Sequence, residues 1–180
     1  MDRSSSYILS TERLGLRRWI ASDLQPFVRM NRDPAVMRFF PRPYTAEESA
    51  VMIRQMETFF DKHGYGIYAL ELRETGEFLG YTGLAVPSFE SWFTPCVEIG
   101  WRLRQEAWGK GYATEAALAC IDHAFQTLGL GELFSFTSVL NKPSEKVMQR
   151  IGMTRLGDFA HPRLEPGHPL RLHVLYKIEK

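Results

Sequence analysis

The sequence predicts a mixed α/β (α+β) domain around one sheet. Short runs in which apolar residues alternate read as strands, longer runs with apolar residues at helical spacing read as helices, and the two kinds interleave along the chain. The predicted order is β-α-α-β-β-β-α-β-α-β. No internal repeat, low-complexity tract or linker divides the 180 residues, so residues 1–180 are expected to form a single domain with a substantial core.

The elements follow in order. "LGLRRWI" (Leu14–Ile20) alternates as a first strand. Ser22 and Gln25 fit a capping box that opens a helix running to about Asn31. Thr45 and Glu48 repeat that signature; Val51, Ile53, Met56, Phe59 and Phe60 then make a broad apolar face, which ends at His63-Gly64. "YGIYALEL" and "EFLGYTGLAV" flank Arg73-Glu74-Thr75-Gly76, a hairpin with a Gly-containing turn. After an aromatic connector, "CVEIGWRL" reads as a further strand. Ala113, Ala116, Ala117, Cys120, Ala124 and Leu128 recur at helical spacing up to Gly129, and their small size would let that helix lie close to a sheet. "LFSFTSVL" is another strand. Asn141 caps a short helix with Pro143 in its first turn, Gly152 stops it, and "LRLHVLYKI" is the last strand.

Composition narrows the partners. A formal charge of +1 gives no global basic field for nucleic acid. No run approaches the roughly 18 apolar residues that span a bilayer, and the N-terminus lacks a signal-like apolar core, so no membrane is expected. Cys96 and Cys120 make no disulfide framework, which points to the cytoplasm. His161 and His168 lie in a Pro-broken loop without ligand-like spacing, and with His173 they give no reason to expect a metal.

The segment "EAWGKGYATEA" (Glu106–Ala116) sets two glycines just ahead of a helix. It is not a Walker A loop, because Arg stands at position 104 and Gly111 follows Lys110. Nor is it the dinucleotide fingerprint, because Thr114 stands where Gly or Ala is needed and an antiparallel hairpin precedes it. What survives is strand, glycine turn and helix N-terminus. Its amides lack intrahelical partners and carry partial positive charge, which suits a phosphate or pyrophosphate. Gly109 and Gly111 permit close backbone approach, and Lys110 adds a mobile cation. A glycine turn with no ligand is the plainer alternative.

Three segments resemble the GNAT superfamily of acyl-CoA-dependent N-acetyltransferases, in its RimJ/RimL-like (ribosomal-protein-alanine N-acetyltransferase-like) branch. "VEIGWRLRQEAWGKGYATEA" (Val97–Ala116) is similar to the acetyl-CoA motif, and "NKPSEKVMQRIGM" (Asn141–Met153) to the downstream motif. "TERLGLRRWIASDL" with "DPAVMRFF" resembles the branch's N-terminal region, so the likeness runs from Thr11 to Met153. There are two departures. Glu106 stands where Gln or Arg is usual, and Met148 replaces a Tyr that many relatives use as general acid.

The resemblance implies a GNAT-type domain, with helices on both faces of a mixed sheet that is splayed in its middle. It implies direct attack of a primary amine, on a protein N-terminus or a small molecule, upon acetyl-CoA in a ternary complex. Glu98 is the expected base, directly or through water, unless it is a solvent-facing or ion-paired strand residue. Gly100 would mark the bulge that opens the sheet. Ser144 is the family-matched acid, or simply a first-turn residue. Pantetheine would pair with the strand backbone from Ile99 through Trp101 to Leu103 and Arg104. The pyrophosphate would take the amides of Gly109, Lys110, Gly111, Tyr112, Ala113 and Thr114. Asn141 would touch pantetheine as well as cap its helix.

Phe39, Phe40 and Tyr44 are expected in the acceptor pocket, with core packing nearly as good an account of Phe39 and Phe40. "SFESWF", including Trp92, would cover that pocket or pack on a second subunit of a homodimer. A non-catalytic acyl-CoA-binding or interaction module on the same fold is the alternative, and a different phosphate-ligand enzyme a more distant one.

Overall fold

In the computed structural model, which describes residues 7–180, eight strands line up in one sheet. They are β1 (Leu9–Ser10), β2 (Leu14–Arg17), β3 (Ile67–Leu72), β4 (Phe78–Ala85), β5 (Glu98–Leu103), β6 (Glu132–Ser138), β7 (Thr154–Ala160) and β8 (Leu172–Glu179). Across the sheet they run β1-β2-β3-β4-β5-β6-β8-β7. The helices are α1 (Leu24–Arg32), α2 (Pro34–Met37), α3 (Ala46–His63), α4 (Tyr112–Gln126) and α5 (Lys142–Arg150). The class and the six expected strands are present; β1, α2 and β7 are additions. Two of these are too short to show a period, and β7 is largely exposed, so its residues carry no strong apolar alternation.

Local chemistry fixes the ends of the elements. Thr45 Oγ1 accepts from the Glu48 amide at 3.1 Å, and the Glu48 carboxylate accepts from the Thr45 amide at 2.8 Å, closing the expected capping box of α3. Gly64 ends that helix in the left-handed region at φ 75°. The first helix departs from expectation. A single 3₁₀ turn, Ala21–Asp23, precedes α1, and Asp23 Oδ2, not Ser22, accepts the Ile20 amide at 2.9 Å. Asp23 also pairs with buried Arg17, a tertiary contact that outweighs the local Ser22–Gln25 pattern.

The helices cover both faces. Tyr68, Leu84 and Ile99 face α4, whose Ala116, Ala117, Cys120 and Ala124 are fully buried; their small side chains let the helix sit close to the sheet. On the other face Trp19, Phe27, Met30, Val36 and Met37 pack on Ala69 and Phe78. A third cluster, Phe93, Phe134, Phe159 and Leu175, fills the end of the sheet near β7 and β8.

The sheet is splayed between β5 and β6. These parallel strands share one register pair, Glu98↔Phe134, with the Phe134 amide donating to the Val97 carbonyl at 2.9 Å. The bulge expected at Gly100 is absent: β4 and β5 stay in register from Ala85↔Glu98 to Gly80↔Leu103. Divergence of the parallel pair, not an inserted residue, opens the gap. Backbone groups at alternate positions share an edge, so the edge that meets β6 at Val97 faces open space by Trp101.

Candidate active site

A cavity of about 1000 Å³ occupies this gap. β5 runs along it. The turn before α4, the first turn of α5, and Phe39, Phe40 and Tyr44 from the segment between α2 and α3 also line it.

The glycine turn is built for exposed amides. Gly109 and Gly111 have φ 75° and 81°, a region that strains any L side chain. Gly111 is the N-cap of α4 and supplies no side-chain acceptor, whereas Thr45 caps α3 and Asn141 caps α5. The first-turn donors of α4 therefore lack both intrahelical and side-chain partners, at the positive end of a 15-residue helix. Gly111, Tyr112, Ala113 and Thr114 line the cavity. Lys110 is exposed beside it.

The turn is clamped by residues outside the predicted set. Trp108 Nε1 donates to the Leu103 carbonyl at 2.9 Å. Arg13 Nη1 donates to the Lys110 carbonyl at 3.0 Å, and Arg13 Nε to Glu115 Oε2 at 2.7 Å. Thr11 Oγ1 donates to the other oxygen of the same carboxylate. The Glu115 carboxyl, although burial opposes it, is held below the usual carboxylate range by Thr11 and Arg13. Only the tertiary fold brings β2 beside α4, so nothing in the local sequence pairs Arg13 with Glu115.

Along β5, Glu98, Gly100 and Arg102 face the helical layer of α1–α3, while Ile99 and Leu103 enter the core under α4. Glu98 lines the cavity, and burial alone pushes its carboxyl up to about 8. A Cβ placed on Gly100 would meet Glu98 Oε1 at 3.8 Å, so the carboxyl leans along the strand over that glycine. Across the strand pair, Tyr81 stands opposite Arg102 and also lines the cavity; burial raises its phenol.

From α5, Asn141 and Ser144 line the same cavity. Asn141 Oδ1 accepts from the Ser144 amide at 3.4 Å, and its Nδ2 donates to Thr137 Oγ1 at 2.9 Å, so the cap role holds. Met148, at the position of the missing Tyr, is 1% exposed in the core. Cys120 is fully buried, and burial pushes its thiol up to about 12.

The side chains of three predicted site residues lie outside the cavity, which leaves the backbone roles expected of Ile99 and Arg104 untouched. The Arg104 side chain leaves the cavity and pairs with Glu77 at 2.5 Å. The Ile99 side chain is fully buried, so only its backbone lies near the gap. Trp92 is 66% exposed and lines no part of the cavity; its neighbour Phe93 is the anchored residue, set among Phe134, Phe136 and Phe159. In an aromatic loop, sequence alone does not say which ring turns inward.

A splayed sheet, a bared helix N-terminus and a carboxyl in the gap define an acyltransferase architecture of the kind the sequence resembles. A family model described as an acetyltransferase (GNAT) domain matches residues 13–154. The chain belongs to that family. It is 35% identical over 140 residues to the FsC-acetyl coenzyme A-N(2)-transacetylase of Aspergillus fumigatus, spanning 73% of this chain and 58% of that longer protein. An acetyltransferase crystal structure from Agrobacterium tumefaciens is 31% identical, with a TM-score of 0.77 over 96% of this chain and 94% of that one. The Salmonella typhimurium acetyltransferase that modifies the N-terminal serine of ribosomal protein L7/L12 shares the fold at a TM-score of 0.78 and 15% identity, covering 94% of this chain and 96% of its own. At that identity the likeness is one of fold.

Proposed function

We propose that this protein transfers an acetyl group from acetyl-CoA to a primary amine by direct attack in a ternary complex. The observation that carries the reading is that the Glu98 carboxyl and the uncapped N-terminus of α4 line one cavity. An alkyl ammonium has a pKa near 10, so a carboxylate of ordinary pKa would be a poor base for it. Raised to about 8, Glu98 is mismatched by only about two units and can take the proton directly or through water.

The thioester supplies an activated acyl carbon and a thiolate leaving group. Amides of Gly109–Thr114 fit its pyrophosphate, and the open edge of β5 near Trp101 fits the pantetheine arm. The amine nitrogen bonds to the carbonyl carbon, the C–S bond breaks, and the departing sulfur takes a proton. Ser144 is the matched donor in the cavity, with Asn141 beside it. The raised thiols of Cys96 and Cys120 favour this route over a covalent cysteine intermediate.

Calorimetric titration tests the first half, with acetyl-CoA, dephospho-CoA, pantetheine and ATP compared. We expect one-site binding of acetyl-CoA that weakens when the pyrophosphate-bearing half is removed. Amine-dependent release of CoA thiol tests the second half. Tight binding without turnover over a broad amine panel would make this a binding module instead.

A further inference from the structure

Two arginines are buried among the described residues, and they are treated differently. Arg17, 6% exposed, is neutralised by Asp23 and Glu71, both also buried. Arg102, 7% exposed, takes part in no ion pair among the described residues. Its Nη1 donates to neutral Asn31 Oδ1 at 2.8 Å, and its Nε is buried with no partner. The guanidinium lies 3.8 Å from the Phe40 ring centroid and 5.4 and 5.7 Å from those of Tyr81 and Tyr44. Aromatic faces and an amide ease a buried cation without cancelling its charge. The cavity reaches Arg102, Phe40, Tyr44 and Tyr81 together.

We propose that Arg102 binds an anionic oxyacid group, carboxylate or phosphate, on the acceptor amine, so that the substrate class is primary amines bearing such an anion several bonds away. This rests on the acetyltransferase reading above. The spacing follows from the strand. Arg102 and Glu98 share a face of β5 four residues apart, about 13 Å between Cα atoms. Gly100 between them leaves that face bare, and the Glu98 carboxyl leans over it. An amine at Glu98 and an anion at the guanidinium therefore need an extended linker. The planar fork of Arg suits an oxyanion better than a point charge would.

The test is kcat/KM for β-alanine, γ-aminobutyrate, δ-aminovalerate and ε-aminocaproate, each against its neutral primary amide and its phosphonate counterpart. The wild-type enzyme should prefer an anion over its amide by about tenfold to a hundredfold at the best linker length. The better of carboxylate and phosphonate then names the group. In Arg102→Gln that preference, read as the ratio of anion to amide kcat/KM within the variant whatever its absolute rate, should fall to near unity. Acetyl-CoA affinity, measured in parallel, reports whether the variant is folded. Should it not fold, Arg102→Lys serves, and should keep the charge but lose part of the preference. Wild-type enzyme that acetylates anions and amides alike overturns the inference and leaves the acetyltransferase reading standing. So does an anion preference that survives in folded Arg102→Gln. Failure to acetylate any amine overturns both.

Discussion

In the proposed mechanism Glu98 concentrates the chemistry of the site in one proton. A base with a pKa near 8 is mostly neutral at pH 7, so turnover should rise with pH and level off above about 8. Glu98→Gln should lower kcat about a hundredfold or more while acetyl-CoA affinity stays nearly intact. An unchanged rate at every pH would remove Glu98 from the mechanism. The same group makes a stability prediction. Folded Glu98 keeps its proton up to about 8, whereas the unfolded side chain releases it near 4.5. Between those values the folded state binds more protons, so this residue's contribution falls as pH rises. The unfolding free energy of Glu98→Gln should gain on that of wild type from pH 5 to pH 8, by on the order of a few kcal/mol. Parallel melting curves across that range would mean the carboxyl is better solvated than its surroundings indicate.

The turn before α4 works as an element. Its two left-handed glycines bare the amides, and Arg13, Glu115 and Trp108 hold it in place. Gly111→Val would force a branched side chain to φ 81°, at a cost of roughly 1–3 kcal/mol, and would disturb the proposed phosphate cradle. Acetyl-CoA affinity should drop clearly; unaltered affinity would misplace the pyrophosphate site. Glu115→Gln is the gentler probe. The Arg13–Glu115 pair is partly exposed, so its loss should barely move the melting temperature. A looser turn should nevertheless weaken acetyl-CoA roughly two- to fivefold. A loss of stability without a loss of affinity would make the clamp purely structural.

At the scale of the molecule, two helical layers and one sheet share a continuous framework, and residues 13–154 match one family model. We expect one cooperative unfolding transition for the whole chain by calorimetry; two separated transitions would divide the domain. Arg17 ties β2 to β3 and to the turn before α1 through buried carboxylates. Arg17→Met would leave two of them uncompensated and should cost about 3–5 kcal/mol. A shift under about 1 kcal/mol in denaturant unfolding would show that water reaches those carboxylates in the variant.

The sequence by itself determined the class, the order of the main elements, the α3 capping box, the hairpin and the glycine turn. Each depends on residues close together in the chain, where periodicity and capping chemistry act. The family resemblance also singled out Glu98, Asn141, Ser144, Phe40 and Tyr44, all of which line one cavity. Only the tertiary structure decided the source of the splay, because a parting of β5 from β6 is a relation between strands about 35 residues apart and not a bulge at Gly100. It alone sent Arg104 to Glu77 and left Trp92 exposed. It alone paired Arg13 with Glu115 and buried Arg102 without a carboxylate. Charge, in a sequence, has sign and position along the chain; its partners and its distance from water exist only once the chain has folded.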